Sequence, residues 1–258
     1  MGFWESILAE YDKLLAAKAA IPFQIKLLHD FYQSFLEGDR WVNYLRGLGI
    51  TFQLTLAALL LGVALGVLVA VVRTLHDQRR TGRPGLPLSI ANGTCQFYTT
   101  VIRGTPMMVQ LLIMYFVIFA GTRNQLGVAI LAFGINSGAY VSEIIRGGIM
   151  SVDPGQMEAG RSLGLGYIPV MRHIIIPQAV KNILPALGNE LITLFKETSI
   201  VTVIGLVDLT KAAFQIQART YQALMPFVAI ALMYLLVVLF LTWLLGILER
   251  RLRQSDQR

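Results

Sequence analysis

Side chains able to do chemistry are few in this sequence, and most of them sit in an unusual setting. Within an otherwise apolar stretch at 182–207 fall Asn189, Glu190, Thr193, Lys196 and Glu197. Wound as a helix they share one face, an arc of roughly 120°, while Leu187, Leu191, Ile192, Leu194 and Phe195 take the rest. A second apolar stretch repeats the arrangement with Asn136, Ser137, Tyr140, Glu143 and Gly147. Charged groups in hydrocarbon are costly, so such stripes face protein or a water-filled cavity. Two readings fit: an inter-helix polar network, with Lys196 paired to Glu190 or Glu197, or the lining of a pathway. Glu143 and Arg146, three residues apart, also have the spacing of a helical ion pair. Catalysis finds little footing. His29, His76 and His173 are scattered and Cys95 is alone, so neither a metal site nor a disulfide framework is expected. No Gly-x-x-x-x-Gly-Lys run followed by Ser or Thr occurs, so the chain has no P-loop for a nucleotide and no cofactor is implied.

These residues need elements to hold them, and composition says what kind. Of 258 residues 55% are hydrophobic and only 14% charged, against roughly a quarter in soluble domains. The formal charge is +7, yet the basic residues lie in short clusters between long apolar runs, which fits a membrane protein and not a nucleic-acid surface. Charge-free runs at 47–72, 104–122, 124–142 and 221–248 are expected to be helical spans, and 182–207 is a fifth despite its three charges. The residues Gly121 to Gln125 read as a tight turn between antiparallel helices. Arg73, Arg79, Arg80 and Arg83, then Arg146, Arg161, Arg172 and Lys181, then Arg250, Arg251, Arg253 and Arg258 share one side of this layout. That side is expected to be the cytoplasm, with the N-terminus outside. Acids from Glu5 onward do not fit a cleavable signal, so the first span is expected to direct insertion. Before it, Trp4, Ile7, Leu8, Tyr11, Leu14 and Leu15 recur at helical spacing opposite Lys13 and Lys18, the pattern of an amphipathic helix in an interface or packed on the outer surface. In Arg103-Gly104-Thr105-Pro106 the proline removes a backbone donor and the glycine loosens the helix before it. A kink near the inner end of the second span follows, either a gating joint or a static bend.

The stretch at 151–185 is too long for a mere connection. Asp153-Pro154-Gly155-Gln156 starts a short helix, Gly164-Leu165-Gly166 breaks it, and Tyr167 to His173 forms a second, so an elbow protrudes into the cytoplasm. Here the chain resembles the permease subunits of binding-protein-dependent ATP-binding-cassette (ABC) importers, whose signature is Glu-Ala-Ala, three residues, Gly, nine residues, Ile-x-Leu-Pro. Glu158, Ala159, Gly164, Ile174 and Pro177 match, while Gly160 replaces the third Ala and Ile176 the Leu. Arg103-Gly104-Thr105-Pro106 with Gln110, Ser137-Gly138-Ala139-Tyr140, Leu187-Gly188-Asn189, Lys196-Glu197-Thr198-Ser199 and Leu248-Glu249-Arg250-Arg251 resemble the polar amino-acid branch, in which position 197 is more often Asp.

The resemblance implies an all-α integral membrane protein of about five transmembrane helices with a cytoplasmic coupling-helix loop, the type I importer permease fold, in a bacterial inner membrane. It covers residues 41–253, leaving 1–40 as an extracytoplasmic amphipathic segment and 254–258 as a cytoplasmic tail. It implies transport without enzymatic activity in this chain, two separate ATPase subunits, an extracytoplasmic amino-acid-binding protein and a second permease subunit, with no nucleic acid among the partners. Glu158, Ala159, Gly160, Gly164, Ile174 and Pro177 would couple to the ATPase. The plain alternative is that Glu158 caps its own helix and Gly164 merely ends it. The substrate pathway would take Asn189, Glu190, Thr193, Lys196, Glu197, Tyr140 and Glu143, because an amino acid needs acceptors for its ammonium and donors for its carboxylate. Gating would fall to Arg103, Gly104 and Pro106.

Overall fold

In the computed structural model, residues 2–78 and 85–254 are described, and every element among them is helical. Arg79, Arg80, Arg83 and the tail beyond Gln254 lie outside the described residues. The helices are α1 (Phe3–Ala16), α2 (Phe23–Phe31), α3 (Trp41–Gln78), α4 (Leu86–Gly104), α5 (Met107–Ile113), α6 (Gln125–Met150), α7 (Pro154–Ser162), α8 (Tyr167–Val170), α9 (Ile176–Glu197), α10 (Leu209–Thr220) and α11 (Leu224–Gln254). Among the described residues three stretches are long and apolar enough to cross a membrane unaided: Trp41–Asp77, Gln125–Met150 and Leu224–Leu252. Counting each of two bent pairs as one span raises the number to five.

The 38 residues of α3 measure about 57 Å, well beyond a bilayer core of about 30 Å. It runs parallel to α6, and small residues bring the two backbones together. A Cβ on Gly62 would lie 2.8 Å from Ser137, and one on Gly66 would lie 2.6 Å from Val141. Leu54, Leu111, Phe133, Leu194 and Val201 form the central apolar core, so α3, α5, α6, α9 and the 3₁₀ turn after α9 all converge there. Tyr44, Leu209, Ile216 and Ile230 make a second core joining α3, α10 and α11.

Two expected spans are built differently from the reading of their sequence. The helical part of 104–122 covers only 107–118, and α4, in a region given no span, precedes it across a bend of 107°. The reason is visible in α4: Asn92, Thr94, Gln96, Thr99 and Thr100 dilute its hydropathy, although 84–102 carries no charge. The span expected at 182–207 starts earlier, as α9 continues without a break from a π-helical turn over Met171–Ile175, with Pro177 just after that turn. It ends as α-helix at Glu197, tightens to a 3₁₀ turn over Thr198–Ile204, and bends by 48° into α10. The turn before α6 forms as expected, with Gly121 at φ +85° and the Asn124 side chain accepting from the Gly127 amide at 2.9 Å.

At the N-terminus Trp4, Ile7, Leu8, Tyr11 and Leu14 are half-buried and Leu15 is exposed. α1 packs on α2, with Tyr11 stacked on His29, and a chain of ring contacts from Trp4 through Phe31 and Phe35 reaches Tyr44 of α3.

Candidate functional site

α9 divides as its sequence suggests. Leu194 and Phe195 are buried, the latter between Phe52 and Tyr234, while Asn189, Thr193, Lys196 and Glu197 are exposed on the other side. Glu190, at the edge of the stripe, is half-buried and accepts a hydrogen bond from Ser137 Oγ at 2.8 Å. Lys196 makes no ion pair with either glutamate among the described residues, so that part of the network reading is corrected. The spacing accounts for it: residues one or six apart are not neighbours on a helix surface.

On α6, Asn136 and Ser137 are buried and Tyr140 is exposed. Asn136 Nδ2 donates to Gln110 Oε1 at 3.1 Å, and Gln110 Nε2 in turn donates to the Ile102 carbonyl and to Thr105 Oγ1, both at 2.7 Å. Polar side chains of α5, α6 and α9 are thus linked across the bundle. The same bonds hold the break between α4 and α5. There Thr105 is extended (φ −120°, ψ 145°), as a residue before proline prefers, and Pro106 starts the next helix. Arg103, Gly104 and Pro106 therefore sit at a sharp corner between two helices, more than the expected kink. The Arg103 guanidinium lies 5.3 Å from the centroid of the Tyr140 ring.

Glu143 forms its expected pair with Arg146, 3.3 Å apart, but it is also bound by Arg73 of α3 and approached by Arg103 at 3.8 Å. Arg146 reaches Asp77 at 3.6 Å. Glu143 is therefore the centre of a charge cluster that clasps α3, α4 and α6. Sequence reasoning missed Arg73 and Arg103 here, because nothing in the local spacing links them to Glu143.

The elbow has its own small core of Val152, Val170, Met171, Ile175 and Ala179, with Ile174 partly buried against it. Asp153 Oδ1 caps α7 by accepting from the Gly155 amide at 2.9 Å, so Glu158, exposed in mid-helix, is not the cap. At the other end the Gly164 amide donates to Arg161 O and the Leu165 amide to Gly160 O, with Gly164 at φ +82°. This paired closure needs a left-handed residue, which glycine supplies without strain. Gly160 is buried, and a Cβ there would lie 2.7 Å from Val170, so its small size serves packing within the elbow. Ala159 and Pro177 are exposed. Leu163 and Ile168, which sequence reasoning passed over, are 82% and 73% exposed at the tip. Such bare apolar residues outside the apolar spans could have been noticed as a contact surface. Beneath the elbow a cavity of about 620 Å³ opens between Asp77, Arg146, Met157, Glu158 and Arg161.

Broken and continuous apolar helices around a buried polar link, with a folded elbow beside them, have the make-up of a multi-pass membrane protein. Residues 87–254 match the model of the binding-protein-dependent transport system inner membrane component, and the chain belongs to that family. The arginine transport system permease protein ArtQ of Bacillus subtilis strain 168 is 41% identical over 215 residues, covering 82% of this chain and 93% of that one. The glutamine transport system permease protein GlnP of Escherichia coli K12 is 35% identical over 213 residues, covering 81% and 92%. Among solved structures, an amino acid ABC transporter with histidines superposes with a TM-score of 0.75 at 42% identity, covering 84% of this chain and 98% of that one. The MetNI methionine ABC transporter in inward-facing form shares the fold, with a TM-score of 0.65 at 18% identity over 81% and 95% of the two chains. The fold is that of a type I ABC importer permease, as the signature at 158–177 implied.

Proposed function

We propose that the chain is the permease subunit of an ATP-driven importer of polar amino acids, and that two such subunits face each other across the path. The open stripe of α9 carries this reading, because Asn189, Thr193, Lys196 and Glu197 point out of the chain that bears them. A second permease, a copy or a close homologue, closes that face into a polar passage. Within it Lys196 and Asn189 donate to the substrate carboxylate, Glu197 and Glu190 accept from its ammonium, and Thr193 and Tyr140 line the edge. The arginine, glutamine and histidine in the names of the related proteins support a polar amino acid as cargo.

ATP is hydrolysed on separate subunits, which bind the elbow. Leu163 and Ile168 enter an apolar groove of the ATPase, Glu158 accepts from a basic residue there, Ala159 allows close approach, and Gly160 and Gly164 keep the elbow compact and turned. Ile174 and Pro177 pass the movement to α9, so nucleotide-driven closure turns the stripe between outward and inward access. The corner at Arg103, Gly104 and Pro106 and the cluster at Glu143 gate the inner end. An extracytoplasmic binding protein delivers the amino acid to the opposite end. Residues 1–40 lie outside, 41–253 form the permease proper and 254–258 are cytoplasmic, an orientation supported by the side on which the arginines gather.

Reconstitution with the ATPase in liposomes tests the reading. Polar amino acids presented with candidate binding proteins are expected to stimulate ATP hydrolysis and uptake. Glu197→Gln or Lys196→Met should lower uptake about tenfold or more, since a charge-assisted contact is worth about 1.5 to 3 kcal/mol. Leu163→Asp or Gly164→Val should leave an inserted permease that no longer retains the ATPase or no longer couples to it. Wild-type uptake in all four variants would defeat both assignments.

A further inference from the structure

A second site lies on the far side of α9 from the Glu190 hydrogen bond. Between α9 and α11 runs a groove of about 350 Å³, walled by Ile192 on one side and by Leu241, Leu244 and Leu248 on the other. Its floor is low because residue 188 is glycine, where a Cβ would lie 2.4 Å from Leu245 Cδ1. Every lining side chain is apolar except one, Arg251, at the end nearest the C-terminus. Arg251 is exposed and makes no hydrogen bond or ion pair among the described residues, whereas its neighbour Arg250 donates from Nε to the Gly246 carbonyl at 3.1 Å.

Length, polarity and charge agree on what fits. From Leu241 to Arg251 the helix rises about 15 Å, half of a bilayer core of about 30 Å, so the groove is one leaflet deep. Its walls offer water no partners. The arginine stands where a headgroup phosphate lies when an acyl chain fills the groove, and Arg250 adds positive charge close by. A second copy of this chain would bring its own surplus of arginines to that depth, which like-charge repulsion opposes. We propose that this groove binds an anionic phospholipid, one acyl chain lying between α9 and α11 and the phosphate held by Arg251. The site is independent of the cargo and of the stripe that carries it.

The test uses the full chain in its complex with the ATPase, delipidated and then equilibrated in detergent with equal amounts of dioleoylphosphatidylglycerol and dioleoylphosphatidylcholine. Native mass spectrometry then counts the lipids retained. The complex should retain phosphatidylglycerol in preference. Arg251→Gln should lower that retention about tenfold, the loss of one charge-assisted contact, and lower retention of phosphatidylcholine less, because its choline already offsets the phosphate charge, so that the preference between the two lipids shrinks. Leu244→Trp, which fills the groove from a half-exposed position, should lower retention of both. Three results would each overturn the assignment. These are equal retention of the two lipids by the unmodified complex, unchanged phosphatidylglycerol retention in Arg251→Gln, and disulfide crosslinking between two copies through Leu244→Cys in a Cys95→Ser background.

Discussion

A single carboxamide secures the sharper of the two bent helix pairs, the 107° corner between α4 and α5. Where α4 stops and α5 starts, the carbonyl of Ile102 loses its helical partner, and hydrocarbon offers no water to replace it. Gln110 supplies that bond and a second to Thr105 Oγ1, and is itself oriented by Asn136. Gln110→Leu keeps the volume and removes the donor, so it should cost about 1 to 3 kcal/mol. Thermal unfolding of the purified permease reads this as a lower Tm, and an unchanged Tm would mean that the carbonyl finds another donor. The residue scale is also where the sequence was least legible. Glu143 with Arg146 could be read from their spacing, but Arg73 lies 70 positions away and Arg103 approaches only because α4 ends at the corner. One of the two readings of the stripe paired Lys196 with a glutamate, and Lys196 instead stands exposed, since a one-dimensional stripe does not say which members of it touch.

Among the elements, continuous apolar helices announced themselves and broken ones did not. α3, α6 and α11 follow from charge-free runs, because hydrocarbon demands uninterrupted internal hydrogen bonding. α4 has an equally charge-free sequence from 84 to 102, with Pro87 in its first turn, but its amides and hydroxyls hide it from a reading tuned to hydropathy. The corner itself was half legible: proline before a helix predicts a stop, while the angle depends on packing against α6. If Pro106 sets the corner by keeping Thr105 extended, Pro106→Ala should let part of the population straighten. Spin labels at Thr94 and Val117, both exposed, would then show a longer component approaching the about 35 Å of a straight helix of that length. A distance distribution identical to that of the unaltered chain would leave Gln110 and the packing as sufficient. The elbow was the most legible element, because Asp153 and Gly164 are capping residues whose chemistry is local, and both act as caps.

For the molecule as a whole, the arginine asymmetry predicts which end faces which compartment. In a Cys95→Ser background without the ATPase, Ser6→Cys should react with an impermeant thiol reagent in intact cells and Ser162→Cys only after permeabilisation. Equal labelling of both before permeabilisation would refute the orientation. The face that this topology leaves open has a thermodynamic corollary. A protomer inserted alone must bring Asn189, Thr193, Lys196 and Glu197 against acyl chains, where a lysine near the midplane costs about 2.5 to 3.5 kcal/mol. Pairing removes that exposure, so mass action enters the folding equilibrium, and the resistance of the subunit to heat and proteolysis should rise with its density in the bilayer, as it does with concentration for an obligate dimer in solution.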